Sequence, residues 1–140
     1  MLSLERERAL ITFLTRAAAD GLVQSAHDCS DGGIAVTLAE CAFDTGGIGI
    51  KVNLPKTVSA VATLFGESAS RAVVSVTEAN LSQLEQLARE LSVPMQAIGV
   101  TGGERLTISV ADEIVLDLPV VEAEQIWSGA LGRYFARRAA

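Results

Sequence analysis

The 140-residue sequence has little of several features that define whole classes of protein. It contains one histidine and two cysteines, Cys29 and Cys41, which do not form a C-x-x-C pair, so we expect neither a zinc site nor a disulfide. Its apolar runs are far shorter than the ~20 residues that a membrane-spanning helix needs. The chain does not open with a charged segment, an apolar stretch and a cleavage site, so we expect a cytoplasmic protein with no membrane partner.

Basic residues are also scarce, with eleven Lys and Arg against seventeen Asp and Glu and a formal net charge of −6. They are not gathered into a stripe that could follow a phosphate backbone, so nucleic acid is not an expected partner. Hydrophobic residues make up 49% of the chain and charged residues 20%, a balance that excludes a disordered protein. The length suits one packed core, and we predict that residues 1–140 form a single domain.

Hydrophobic periodicity predicts helices that are interspersed with strands. Helices are expected after Ser3, after Gly33, over 57–65, over 78–91 and from Pro119 to about Leu131; strands are expected over 22–26, 48–54, 71–77, 95–101, 104–110 and 114–118. This mixture of crossovers and hairpins predicts an α+β fold in which helices cover a mixed sheet.

Some of these elements carry expectations about particular side chains. The first helix should place Leu10, Leu14, Ala17 and Ala18 on one face, and the strand over 48–54 should point Ile48, Ile50, Val52 and Leu54 one way. The helix over 57–65 should carry Val58, Val61, Ala62 and Phe65 inward. The β-branched run over 71–77 suits a central strand. Gly102 and Gly103 favour a tight hairpin between the strands on either side of them, and Trp127 is expected to pack on the sheet.

The segment from His27 to Gly33 is the most informative part of the sequence. It places two carboxylates (Asp28 and Asp31), a hydroxyl (Ser30) and a glycine pair at the start of a predicted helix. Backbone N–H groups at such a position favour an anion, whereas the carboxylates would repel a bare phosphate. A phosphate and these side chains would share a site if a cation such as Mg²⁺ lay between them. In the alternative interpretation, Ser30 or Asp31 simply caps the helix and the glycines form a tight turn.

A second polar cluster lies between the predicted helix over 57–65 and the strand that follows it. It contains Glu67, Ser68, Ser70 and Arg71, and loops of this kind often form the walls of sites. Arg71 would either contact a ligand, pair with Glu67 or satisfy carbonyl groups of its own loop.

The two clusters together resemble the C-terminal domain of phosphoribosylformylglycinamidine synthase, the ATP-dependent ligase of purine biosynthesis. The resemblance rests on His27-Asp28-x-Ser30-Asp31-Gly32-Gly33, on Gly47-Ile48-Gly49 and on Phe65-Gly66-Glu67-Ser68-x-Ser70-Arg71, and it extends to Gly102-Gly103, Leu116-Asp117-Leu118-Pro119 and Trp127. It implies a largely antiparallel mixed sheet like that of the aminoimidazole ribonucleotide (AIR) synthase C-terminal domain. It also implies that the chain is a fragment of a longer multidomain enzyme.

The resemblance further implies Mg²⁺ and ATP or ADP as cofactors. By position, Asp28 matches a Mg²⁺ ligand and Ser30 a nucleotide contact; we add Asp31 as a second ligand and the amides of Gly32 and Gly33 as phosphate donors. Glu67, Ser68 and Arg71 are the candidate substrate contacts, although Ala69 stands where the related stretch has an amide side chain.

The expected partners are the preceding domains of the enzyme together with its glutaminase and small accessory subunits. The isolated domain should be inactive, because the catalytic histidine and most phosphate contacts of the family lie in other domains. Two alternatives remain open: a non-catalytic assembly or auxiliary nucleotide-binding module, and a domain of another superfamily member such as AIR synthase.

Overall fold

The computed structural model describes residues 3–138, which fall into two compact units. The first comprises the residues up to Thr37 together with Leu64–Ala97, and the second comprises Leu38–Thr63 together with the residues from Ile98 onward. The elements in chain order are α1 (Leu4–Ala19), β1 (Val23–Asp28), α2 (Gly33–Ala42), β2 (Ile50–Leu54), α3 (Ala60–Phe65), β3 (Ala72–Val76), α4 (Glu78–Glu90), β4 (Gly99–Thr101), β5 (Arg105–Val110), β6 (Glu113–Pro119), α5 (Val120–Ser128) and α6 (Ala130–Arg138). The α+β class is therefore confirmed.

The first unit packs α1 and α4 on a ribbon formed by β1 and β3. As predicted, α1 begins after Ser3, whose hydroxyl accepts a hydrogen bond from the Arg6 N–H at 3.4 Å. The core is formed by apolar side chains of both helices and by Leu22, with valines of the ribbon against it: Phe13, Ala17, Leu22, Leu84, Leu87, Ala88, Val23, Val74 and Val76. The predicted i, i+4 pair of Glu85 and Arg89 on α4 is present, with an N–O distance of 4.0 Å.

Two expectations about the first unit are wrong. Phe13 is buried on α1 whereas Ala18 is exposed, because the buried stripe follows residues 10, 13, 14 and 17 and Ala18 lies outside it. The strand β3 is not central: among residues 3–138 it pairs with β1 alone, in an antiparallel two-stranded sheet, and all of its side chains are half-buried.

The second unit contains a four-stranded sheet in the order β4-β2-β5-β6. The pair β2 and β5 is parallel, whereas β2–β4 and β5–β6 are antiparallel, so the sheet is mixed and largely antiparallel as expected. Side chains alternate in burial along β2 and β5, which places Ile50, Val52, Leu54, Leu106, Ile108 and Val110 in the core.

The predicted hairpin across Gly102 and Gly103 is wrong, although both glycines have positive φ angles and the chain does turn there. The strand β2 lies between β4 and β5, although α3, β3, α4 and β4 separate it from its parallel partner β5 along the chain. The predicted reversal between β5 and β6 is confirmed, with Ala111 and Asp112 in the left-handed region. Ile48 precedes β2 and is 52% exposed, so the prediction that it points the same way as the buried residues of β2 is wrong.

The expected burial of the helix over 57–65 is also wrong. The helix α3 is shorter, and Val58, Val61, Ala62 and Phe65 are exposed. Thr63 is buried instead, because its hydroxyl accepts the Thr57 N–H at 3.1 Å and donates to a carbonyl group one turn earlier. A satisfied hydroxyl is tolerated in the interior, so the polar residue takes the inner face.

The last predicted helix is two helices. The N–H of Gly129 bonds to the Gln125 carbonyl and closes α5, and α6 begins at Ala130. Trp127 is 56% exposed and its ring centroid lies 5.4 Å from that of Phe43, so the prediction that it packs on the sheet is wrong. None of the helices described between residues 3 and 138 is both long enough and apolar enough to span a membrane.

An ion pair across the β5–β6 hairpin gives a test of the register in which β5 pairs with β6. The Nε of Arg105 and the hydroxyl of Thr107 each donate to Oδ1 of Asp117 at 2.9 Å. Two hydrogen bonds hold the pKa of Asp117 below its ordinary value of 3.8: the bond from Arg105 has the largest effect, and the bond from Thr107 comes next. Because the folded-state pKa is lowered, the resulting stabilisation is present above 3.8 and is lost as the pH falls through the folded-state value.

We therefore expect an NMR titration of the Asp117 carboxyl carbon to have its midpoint below 3.8. In Arg105→Gln the midpoint should move up toward 3.8, since the hydrogen bond with the largest effect on the pKa is lost. A midpoint at or above 3.8 in the unmodified chain would contradict the hydrogen bonds from Arg105 and Thr107 to Asp117.

Candidate functional site

The loop that follows β1 presents polar side chains to solvent. Asp28 ends the strand with its side chain 75% exposed, and Ser30 and Asp31 are exposed as well. Cys29 between them is buried and acts as a small apolar anchor. The Nδ1 atom of His27 hydrogen-bonds with the carbonyl oxygen of the neighbouring Asp28 at 2.8 Å. The loop therefore holds two carboxylates and one hydroxyl on its outer side.

The backbone of this loop is fixed at both ends. The N–H of Cys29 donates to the Arg71 carbonyl at 2.9 Å. The hydroxyl of Thr37 lies 3.2 Å from the Asp28 carbonyl oxygen and 3.1 Å from that of Gly33. Thr37 is only 2% exposed, so these bonds are shielded from water and the loop conformation is well defined. The sequence reasoning missed Thr37; a lone hydroxyl on the apolar face of α2 was the available signal.

The glycine pair is required by backbone conformation. Gly32 and Gly33 have φ angles of +81° and +67°, in the left-handed region that favours glycine. A Cβ added to Gly33 would lie 2.7 Å from the Leu64 carbonyl oxygen and 2.9 Å from backbone atoms of Phe65. Gly33 therefore allows the start of α2 to pack closely against Leu64 and Phe65, just before the second polar loop.

The amides of both glycines have acceptors in this structure. The N–H of Gly33 donates to the Ser30 carbonyl at 3.2 Å, and the N–H of Gly32 donates to Oε1 of Glu67 at 3.0 Å. Donation from these amides to a phosphate stays a prediction, and it would require these acceptors to be exchanged. The side chains of Ser30 and Asp31 make no hydrogen bond to another residue within 3–138, so neither caps α2 and the tight-turn interpretation applies to the glycines alone.

The second polar loop contains the three candidate substrate contacts. Glu67 bonds to Gly32 as described, and one nitrogen of Arg71 lies 3.4 Å from both the Gly66 carbonyl oxygen and the Ser68 hydroxyl. Arg71 thus satisfies oxygen atoms of its own loop. Ser70, with a positive φ, donates its hydroxyl to the Glu7 carboxylate. Contact of Glu67, Ser68 and Arg71 with a substrate stays a prediction.

All eight predicted site residues lie in the first unit, in two loops that touch each other. Nowhere in the described part of the chain do three or more His, Cys, Asp or Glu side chains converge as a metal site. The donor set of Asp28 and Asp31 nevertheless fits Mg²⁺, which is usually held by one or two carboxylates, several waters and the phosphates of a ligand. It does not fit an ion such as Zn²⁺, which needs more ligands from the protein.

The fold and the site together define a class of protein. Residues 2–111 match the family described as AIR synthase related protein, C-terminal domain, and the chain belongs to this family. The match includes both polar loops and ends beside the β5–β6 turn.

Individual relatives carry a more particular name. The chain is 38% identical, over 99% of its length, to phosphoribosylformylglycinamidine synthase subunit PurL of Anaeromyxobacter dehalogenans, and 39% identical, over 97% of its length, to the PurL subunit of Parafrankia sp.. It spans 19% and 17% of those proteins. A solved structure of T. maritima PurL complexed with ADP superposes with a TM-score of 0.74 at 21% identity, over 89% of this chain and 22% of that one.

The packing of Gly33 can be tested against a matched glycine. Gly33→Ala would incur both the left-handed backbone penalty and the collision with Leu64 and Phe65, whereas Gly21→Ala, at a φ of +65°, would meet no atom within 4 Å. We expect a loss of about 1 kcal/mol for Gly21→Ala and a further ~1–3 kcal/mol for Gly33→Ala. Urea unfolding of the two variants measures the difference, and equal losses would show that Gly33 is not packed against Leu64 and Phe65.

Proposed function

We propose that this chain is the C-terminal domain of a PurL-type phosphoribosylformylglycinamidine synthase and that its Asp28–Gly33 loop binds a magnesium nucleotide. The observation that carries the proposal is the exposed pair Asp28 and Asp31 beside Ser30, on a loop braced by the Glu67 loop. Family membership and the similarity to PurL subunits along nearly the whole chain support it. The complex of T. maritima PurL with ADP makes an adenine nucleotide the first ligand to test.

The residues have distinct proposed roles. Asp28 and Asp31 hold Mg²⁺, and the Ser30 hydroxyl contacts the nucleotide between them. When bound, Mg²⁺ would neutralise phosphate charge that two carboxylates would otherwise repel. The turn at Gly32 and Gly33 brings the backbone close to the phosphates, and Glu67, Ser68 and Arg71 form the adjoining wall.

The reaction proposed for the whole enzyme uses ATP to phosphorylate the amide oxygen of formylglycinamide ribonucleotide, after which ammonia displaces the phosphate and gives the amidine. T. maritima PurL has been solved with FGAR and with ATP, which is consistent with this chemistry. The chain spans less than a fifth of the PurL subunit of Anaeromyxobacter dehalogenans, so we propose that 1–140 is one family domain of a longer cytoplasmic enzyme. We propose that its partners are a glutaminase and small accessory subunits; a solved structure of PurLQS from T. maritima supports a complex with further subunits.

A second candidate function is a module that assembles other domains without binding nucleotide. Large apolar side chains on the last two helices favour it, since Ile126, Trp127, Leu131, Tyr134 and Phe135 are all more than half exposed. The absence of MgADP binding would favour this role over the nucleotide site.

The nucleotide site predicts a specific loss of affinity. Asp28→Asn keeps the shape of the side chain and removes one charge, so we expect MgADP to bind at least about 10-fold more weakly in calorimetric titration. Asp20→Asn, which changes an exposed carboxylate at the end of α1, is the matched control and should bind like the unmodified chain. Equal affinities for the two variants would contradict the assignment of Asp28.

The whole-enzyme proposal predicts that the 140-residue chain alone has no synthase activity. Phosphoryl transfer depends on groups that are positioned around the metal and the nucleotide, and we assign most of them to other domains. The measurement is ammonia-dependent conversion of formylglycinamide ribonucleotide, first with the chain alone and then with the complete native polypeptide, which should be several-fold longer. Turnover by the chain alone, or a native gene product of this length, would contradict the proposal.

A further inference from the structure

Glu67 is the side chain that joins the two polar loops directly. Its Oε1 accepts the Gly32 N–H at 3.0 Å across 35 positions of sequence, and both residues belong to the first unit. The Glu67 side chain is exposed, so burial in a core does not explain its position. The bond joins segments that are distant in sequence, so it constrains the loop although the Glu67 side chain itself is exposed.

The bond from Gly32 to Glu67 acts on the part of the loop whose backbone has the fewest other restraints. Cys29 is fixed by the Arg71 carbonyl, and Gly33 is fixed by its packing on Leu64 and by Thr37. Gly32 lies between these anchors at a positive φ, where a residue without a Cβ has wide conformational freedom. The Glu67 carboxylate supplies the missing restraint.

Peptide planarity carries this restraint to Asp31. The N–H of Gly32 and the C=O of Asp31 belong to one rigid peptide unit, so holding the N–H fixes the orientation of that plane. The direction of the Asp31 side chain follows from the backbone to which it is attached. The Asp31–Gly32 peptide is also the central peptide of the turn that the Gly33 N–H closes on the Ser30 carbonyl, so its orientation affects Ser30 as well.

The opposite interpretation is that Glu67 competes with the ligand. A carboxylate on the Gly32 N–H occupies the donor that a phosphate would use, and its negative charge adds to those of Asp28 and Asp31. The two interpretations predict opposite signs for the effect of removing the side chain. The other contacts of the loop all hold backbone groups in place. The Glu67 bond also holds a backbone group, which favours a positioning role over competition with the ligand.

We propose that Glu67 is a positioning residue for the metal–nucleotide site, holding the Asp31–Gly32 peptide so that Ser30 and Asp31 face the ligand. The inference rests on the proposed function and replaces direct substrate contact as the role of this side chain. It assigns the role to the acceptor oxygen and not to the charge, so glutamine should substitute for glutamate.

The test compares Glu67→Ala with Glu67→Gln in the 140-residue chain, and Glu78→Ala on α4 serves as the control for loss of an exposed glutamate. Amide hydrogen exchange measured by NMR without ligand should show faster exchange at Gly32 in Glu67→Ala, with Leu84 in the core unchanged. Titration with MgADP should show binding about 10-fold weaker for Glu67→Ala and within about 3-fold of the unmodified chain for Glu67→Gln. Glu78→Ala should match the unmodified chain in both measurements.

The outcomes separate this inference from the function on which it rests. If Asp28→Asn binds MgADP normally, or if the unmodified chain does not bind it, the nucleotide site is wrong and the inference falls with it. If Asp28→Asn weakens binding but Glu67→Ala does not, Glu67 has no positioning role. Tighter binding by Glu67→Ala would show that the carboxylate competes with phosphate, and faster exchange at Leu84 as well as Gly32 would show a loss of global stability instead of a local role.

Discussion

The antiparallel pairing of β1 with β3 is the constraint on which the candidate site depends. In its register Asp28 lies opposite Ala72, so the end of one strand is adjacent to the start of the other. The loop that leaves β1 and the loop that enters β3 must therefore lie at the same end of the ribbon. Every contact between the two polar loops follows from that register. A slip by one residue would reverse the faces of the strand and separate Cys29 from the Arg71 carbonyl.

The parts of the fold that could be predicted from sequence are those with strong local signals. The helix α4 has a clear apolar stripe with Pro94 beyond its end, and α1 begins at a capping serine and ends at a glycine turn. The two polar clusters were also recognisable, because charged residues and paired glycines interrupt otherwise apolar patterns. Their proximity could not be derived from spacing, since it depends on a strand pairing between segments about 45 residues apart.

The wrong predictions have a common physical cause: a local pattern determines conformation but not the neighbour in space. Gly102 and Gly103 do reverse the chain, yet β4 bonds to β2 instead of β5. The position of β2 depends on close approach between its backbone and those of the neighbouring strands. A Cβ on Gly49 would lie 2.5 Å from the Arg105 carbonyl oxygen, and a Cβ on Gly99 would lie 2.1 Å from the Lys51 carbonyl oxygen. These two glycines make room for the neighbouring strands. Helical spacing likewise could not show that Thr63 takes the inner face of α3.

The donor set of the proposed site bears on how its ligands would bind. Two exposed carboxylates bind a metal ion only weakly when no nucleotide is present, because water competes well for Mg²⁺ and screens the attraction at the surface. A nucleotide alone would meet the repulsion of Asp28 and Asp31, with Glu67 adding a third negative charge in the adjoining loop. Each ligand removes the obstacle to the other, so metal and nucleotide should bind as a pair. A loop of this kind therefore needs rigid geometry more than it needs many ligands, and the buried Thr37 hydroxyl, the missing Cβ of Gly33 and the bond between the two loops supply that rigidity.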